Sequence, residues 1–378
     1  MASTHRQGRP RPMTVLATRS AWLLLAACLP AAVSATGFNP LGLPGSQLLA
    51  LSHDGRSGAG SLVGAESGGF RWSEETGAQL LPSAISVRAL SASGRFVAGS
   101  SLDAGQREVA SYWDASGQLV RLGGLPDTAG QGGLVSMALG ISDEPRIVGT
   151  ANNPEQRSLA FEWTTERGMR ALPLPAGSAA ARASGISADG QRIYGWIQSA
   201  EGIRNGMLWQ RGSATPPERP DDGASLGEVL GGNRDLSVML GVDGERDNGI
   251  GRPYRWQSGA PPQPLERATD LPSPQRLFVG SDDGRLLAGS AGTGAERLAI
   301  VWSIDSGFRP LQVWLADQGV AVPAGWTLAA VTGVSGDGRR LGGWGQYRGR
   351  FDSFVVDVPQ APGEAVPQHT TSDARRVD

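Results

Sequence analysis

The chain has 378 residues, 55 of them Gly and 25 Pro, with charged residues at only 19%; many turns between short apolar runs point to sheets and exclude helical bundles. All 34 basic residues are Arg, four of them before residue 35, so the remainder sets 30 basic against 36 acidic residues, a net charge of −6 that excludes nucleic acid and anionic membrane surfaces as partners. Cys28 is the single cysteine, which excludes disulfides and thiolate metal sites.

In chain order, residues 1–35 read as a signal peptide. Arg6, Arg9, Arg11 and Arg19 precede an apolar run from Ala21 to Leu29, and Val33-Ser34-Ala35 supplies small residues, so cleavage is expected after Ala35. Leu25-Ala26-Ala27-Cys28 offers an alternative, a lipoprotein box with Cys28 acylated as a lipid anchor. The run is shorter than the ~18 apolar residues of a spanning helix, and no later segment reaches that length, so no transmembrane segment is expected. The protein is therefore expected to be secreted or periplasmic, or alternatively an outer-membrane lipoprotein.

From residue 36 to 360 one phrase recurs: an apolar residue, Ser, a turn with Gly, a few residues, then Gly. The clearest copy runs from Gly185 through Ser187-Ala188-Asp189-Gly190 to Gly195, with others at Ser52, Ser91, Ser142, Ser281 and Ser335 and a degenerate one from Leu230 to Gly241. Gly in a turn between short apolar runs signals a hairpin. A second hairpin phrase follows each first one and carries Trp72, Trp113, Trp163, Trp209, Trp256 and Trp302, while the seventh copy keeps Phe354 without a Trp. Two residues before these Trp stand Phe70, Ser111, Phe161, Met207, Tyr254 and Ile300. Residues two apart share a strand face, so both positions should enter one apolar layer.

Four strands per unit of about 45 residues describe an all-β chain folded as a single closed β-propeller of seven four-stranded blades. The segment Phe38 to Gly42 looks like a fourth strand lacking its unit, and the last unit, from Val331 to Val358, lacks a fourth strand. The N-terminal strand should complete the C-terminal blade and leave no free edge. A short helix is expected around Val313 to Asp317, and residues 361–378 read as a disordered tail.

Together, the Ala160-Phe161-Glu162-Trp163 and Gly185-Ile186-Ser187-Ala188-Asp189-Gly190 phrases resemble the HAF-repeat family of probable extracellular repeat proteins. The likeness runs over most of Phe38 to Val358 and includes Gly325-Trp326-Thr327-Leu328; the repeat at Leu230 to Gly241 departs from it by lacking Ser-x-Asp-Gly. The resemblance implies secretion and a propeller-like fold, and brings neither catalytic residues nor a ligand.

Catalytic resources look sparse. His53 reads as a turn residue and His369 falls in the tail, so neither a zinc site nor a Ser-His-Asp triad is expected. The acids from Asp243 to Asp247 lack the Gly and bidentate Glu of a calcium loop. No cofactor or metal is expected. Trp196, Trp344 and Tyr347 fall after the second strand of their units, outside the repeated Trp slot, where loops could present them to a ligand. The expectation is thus a non-enzymatic, monomeric scaffold binding a protein or glycan. The alternative is a carbohydrate-active hydrolase or lyase, which requires inward carboxylates, at least one with a raised pKa.

Overall fold

Side chains close the turn of the first hairpin in the repeated units. At Ser187 the hydroxyl donates to Asp189 Oδ1 (2.5 Å) and accepts from Arg192 N (3.0 Å), Asp189 Oδ1 accepts from Gln191 N (3.0 Å), and Gly190 takes φ +73°. Ser52, Ser281 and Ser335 repeat the device with Asp54, Asp283 and Asp337. The degenerate copy keeps it by substitution. Asn233 Oδ1 accepts from Val238 N (3.0 Å), Asp235 Oδ1 from Ser237 N (2.9 Å), and Leu236 occupies φ +56° where the others have Gly.

These turns make the fold acid-sensitive. The Ser187 hydroxyl and the Gln191 amide hold Asp189 below the ordinary carboxylate value. In Asp54, Asp235 and Asp337 burial pushes upward, but hydroxyl and amide donors outweigh it and these carboxyls also titrate low. A depressed folded pKa contributes stability above the unfolded value of 3.8 and loses it as pH falls through the folded value. Melting scans should give a level midpoint from pH 7 to about 5 and a steep fall below about pH 4. A fall that begins near neutrality would contradict this origin.

The computed structural model describes residues 37–359 except 65–66, 127–134, 218–225, 244–250 and 258–259. The expected signal peptide with Cys28, the loop after Asp243 and the tail from 361 lie outside the described residues. After β1 (Phe38–Pro40) come antiparallel meanders. The first is β2 (Ser46–Leu51), β3 (Ser57–Leu62), β4 (Gly68–Ser73) and β5 (Gly77–Leu81); the next is β6 (Ala84–Leu90), β7 (Val97–Leu102), β8 (Glu108–Trp113) and β9 (Leu119–Gly123). Then follow β10 (Ser136–Ile141), β11 (Ile147–Asn152), β12 (Ser158–Thr164) and β13 (Gly168–Ala171), and β14 (Ser178–Ile186), β15 (Arg192–Ser199), β16 (Arg204–Gln210) and β17 (Ser213–Thr215).

The meander β18 (Leu226–Gly232), β19 (Val238–Asp243), β20 (Pro253–Gln257) and β21 (Gln263–Pro264) is joined by one parallel pairing, Gly232 with Val279, to β22 (Gln275–Gly280), β23 (Leu286–Ala291), β24 (Leu298–Ser303) and β25 (Gly307–Pro310). A helix, α1 (Leu311–Asp317), starts two residues before the expected position. Last come β26 (Trp326–Val334), β27 (Arg340–Tyr347) and β28 (Arg350–Asp357), and β1 pairs with β28 through Phe38–Val356, Asn39–Val355 and Pro40–Phe354. The N-terminal strand therefore completes the C-terminal sheet, as its sequence suggested. Each meander packs on its successor, and β2 packs on β26 and β27.

The repeated apolar slots fill the layers between sheets. Phe70, Phe161, Met207, Tyr254 and Ile300 are fully buried, as are Trp113 and Trp209, whose Nε1 atoms donate to Pro82 O (3.0 Å) and Pro173 O (2.8 Å). Trp72, Trp163 and Trp302 are half-buried. Arginines tie neighbouring units: Arg146 donates to Gly190 O (2.9 Å), Arg192 to Leu236 O (3.1 Å) and Arg340 to Gly55 O (3.4 Å) and Glu74 (2.8 Å).

Candidate functional site

The first strand of every meander carries a bulge at an equivalent position, and four of the seven carry a second one nearer their start. At the equivalent position the register skips Leu49, Arg88, Leu139, Ser184, Leu230, Phe278 and Thr332. A bulge re-aims the extra residue out of the pleat, and all of these residues line one cavity of about 500 Å³. Most of this layer is apolar; Arg88 is its charge.

The meander β14–β17 makes the polar wall. Two residues before the bulge stands Arg182, paired across the ladder with Trp196. Burial, together with Arg88 and Arg204 nearby, pulls the Arg182 guanidinium below its usual value, against the opposing effect of Glu228 on β18. Arg182 Nε, Ser184 Oγ and Trp196 Nε1 are all buried without a hydrogen-bond partner among the described residues. Of these, Arg182 and Ser184 line the cavity, and their orphaned groups need a polar ligand or water there, since a buried donor left unmade costs ~1–3 kcal/mol. Tyr194 crosses from β15 above Gly185, where any Cβ would lie 2.3 Å from the phenol oxygen. It lines the cavity, and burial pushes its pKa up to about 12 although Arg182 opposes the shift.

The candidates expected from sequence sit elsewhere than expected. Trp196 and Trp344 lie within β15 and β27, and Tyr347 ends β27, so none of them is on a loop. Trp196 and Trp344 are each 8% exposed. Arg204 covers the Trp196 ring at 4.4 Å, Arg297 lies over Trp344, which meets Phe351 edge-on, and Tyr347 packs against Trp326. The strands run on because Gly195 does not end one: a Cβ there would lie 2.0 Å from Arg182 O, so this Gly permits close backbone approach. None of the three lines the cavity; Trp196 stands next to its polar wall only through its ladder pairing with Arg182.

Sequence reading missed Arg88, Arg182 and Ser184 and takes Tyr194 for a packed strand residue. The bulges that mark Arg88 and Ser184 depend on strand pairing. His53 is in a turn as expected, but its Nε2 also meets Asp282 Oδ2 at 2.7 Å, and both residues line the cavity. The raised inward carboxyl expected of a hydrolase or lyase is not found among the described residues lining the cavity: burial raises Asp352, which lies on β28 and accepts from Leu43 N and Ser353 N. Among the described residues no group of three His, Cys, Asp or Glu could hold a metal, and no helix is long and apolar enough to cross a membrane.

No family model matches the sequence, and no curated protein matches it. Solved structures do match. An oligogalacturonate lyase from Vibrio parahaemolyticus aligns with TM-score 0.56 at 10% identity over 85% of this chain and 94% of its own, and an oligogalacturonate lyase in complex with manganese with 0.54 at 12% over 85% and 93%. The β-propeller domain of the Trilobed protease from Pyrococcus furiosus aligns with 0.54 at 11% over 82% and 95%. At such identities the likeness shows the fold, an all-β propeller of four-stranded sheets. It also overturns the expectation of a non-enzymatic chain, which rested on the sparse catalytic residues of the sequence. Two of these propellers, matched over nearly their whole length, are themselves enzymes. The manganese of that lyase does not fit the described residues of this chain, which offer no cluster of ligands.

Proposed function

We propose that the chain is a carbohydrate-active lyase working in the axial cavity of a closed seven-bladed propeller, exported from the cytoplasm and related to the HAF-repeat proteins. The observation that carries this reading is the pair of orphaned polar groups at Arg182 and Ser184 beside Tyr194 in the cavity lining. A hydrolase needs two carboxyl groups flanking the bond. Among the described residues lining the cavity, Asp282 is the carboxylate, and it is engaged by His53.

Elimination from a uronate fits the residues better. Arg182, with Arg88, neutralises the sugar carboxylate and so acidifies the carbon-bound proton next to it. Water in the cavity accepts that proton, while Glu228, on β18 and within electrostatic reach of Arg182, balances the guanidinium charge from behind. The electron pair forms a carbon–carbon double bond and expels the glycosidic oxygen. Tyr194, protonated at neutral pH because burial raises its pKa to about 12, donates a proton to that oxygen.

The test is the ultraviolet absorbance of the new double bond when full-length protein is mixed with oligouronates. Tyr194→Phe keeps the ring over Gly185 and removes the proton; turnover should drop about 10²–10⁴-fold with the melting midpoint preserved. No double bond from any oligouronate would sink the reading. Reducing ends formed without a double bond would replace elimination by hydrolysis.

A further inference from the structure

The turn residues His53, Ala92, Ala188, Arg234, Asp282 and Gly336 line one side of the cavity. The residue after Ser in each turn is tied to the next unit. His53 N donates to Ala92 O (2.8 Å), Asp143 N to Ala188 O (2.9 Å), Ala188 N to Arg234 O (3.0 Å), Asp282 N to Gly336 O (2.9 Å) and Gly336 N to His53 O (2.8 Å). Side chains make the two remaining links: Ser93 N donates to Asp143 Oδ1 (2.7 Å) and Asn233 Nδ2 to Asp282 O (3.0 Å). The links form an unbroken collar. With neighbouring Cα atoms about 5.5 Å apart, as across a ladder hydrogen bond, a seven-membered collar measures roughly 12 Å between Cα atoms, and its own backbone atoms occupy much of that.

Two side-chain pairs cut across what is left, each skipping one unit. His53 reaches Asp282 over Gly336, whose Cβ would lie 2.0 Å from His53 Nε2 if it existed. Arg234 reaches Asp143, 3.6 Å away, over the unit of Ala188. Half-exposed ion pairs hold loosely on their own. Here the backbones of His53 and Asp282 are both fixed in the collar, so little chain entropy opposes the contact.

We infer that the His53–Asp282 and Arg234–Asp143 pairs block the turn-side mouth, so that a substrate enters only from the opposite face and is cut near a chain end. This rests on the proposed lyase reading. A polymer cannot thread a cavity with one mouth shut, so the enzyme's substrates are short anionic oligosaccharides or the termini of longer chains.

The experiment follows the viscosity of a long polyuronate against the number of double bonds formed. It uses full-length protein, the His53→Ala/Arg234→Ala variant, and Gly336→Ala, which displaces the imidazole while leaving every charge in place. Wild type should form double bonds with little loss of viscosity, and both variants should lower viscosity several-fold more per bond cut. A wild type that thins the polymer as it cuts overturns the inference, as do variants that still cut only ends.

Binding decides the question separately from turnover. Calorimetry with oligouronates of increasing length should show wild-type affinity levelling once the cavity is filled and affinity in the variants continuing to rise. Levelling without any cleavage would overturn the lyase reading and leave the blocked mouth standing. Affinity that keeps rising in wild type, or no binding of any length, would overturn the blocked mouth.

Discussion

Arg182→Met should lower kcat/KM on an oligouronate by about 10²–10³, the range for removing one preorganised charge-stabilising donor, with the protein still folded. The fold is expected to survive because Arg182 contributes little to it: Nε is orphaned, burial disfavours its charge, and its stem can be replaced by a Met of similar length. Catalysis depends on what the fold does not use. The substrate carboxylate supplies the acceptor that the orphaned donors lack, and its neutralisation matters more as charge builds next to it in the transition state than in the bound ground state. The loss should therefore fall on kcat at least as much as on KM. Arg182→Lys restores charge without the forked geometry and should recover only part of the activity. Equal turnover in wild type and Arg182→Met, measured with the same oligouronate, would remove Arg182 from the reaction.

The hairpins were legible because their determinants are local. Ser, Asp and Gly within four residues close a turn wherever they occur, and each clear copy folded as read. The copy at Asn233 was harder to read only because Asn took the place of Ser and Leu236 accepted a positive φ. The site was not legible, for a different reason. Strict alternation along Ala181-Arg182-Ala183-Ser184 predicts a strand with two faces, and nothing in those letters announces that pairing skips Ser184 and turns it toward the axis. Tyr194 reads as a packed strand residue, and only the empty space above Gly185 lets its phenol reach the cavity. Gly195 misled in the other direction. It looked like the end of a strand and placed Trp196 on a loop, whereas the strand continues to Ser199. The collar is legible only once the turns are assembled side by side, since its links join residues tens of positions apart.

Phe38→Ala should cost about 3–5 kcal/mol, the range for deleting a fully buried Phe, and lower the melting midpoint by several degrees. Phe38 is fully buried although it belongs to a strand of three residues. Its ring stacks on Phe354 (5.2 Å) and meets Trp326 edge-on (5.3 Å), inside a cluster that also includes Leu311 and Leu315 of α1. So short a strand has few ladder bonds to hold it, and the ring supplies most of the anchorage. Ser46 Oγ and Leu48 N, which both bond Ser353 Oγ at 2.7 and 2.8 Å, secure the chain just beyond. Once the ring is gone, β1 can fray from β28 and expose an unpaired edge, the surface on which chains add to one another. The variant should consequently also form oligomers on storage, seen by light scattering, while Phe38→Leu, which keeps part of the volume, should fall between the two in both measurements. A melting midpoint within a degree of wild type would mean that β28 holds its sheet without β1, and that completion of the last sheet by the N-terminal strand contributes little to the fold.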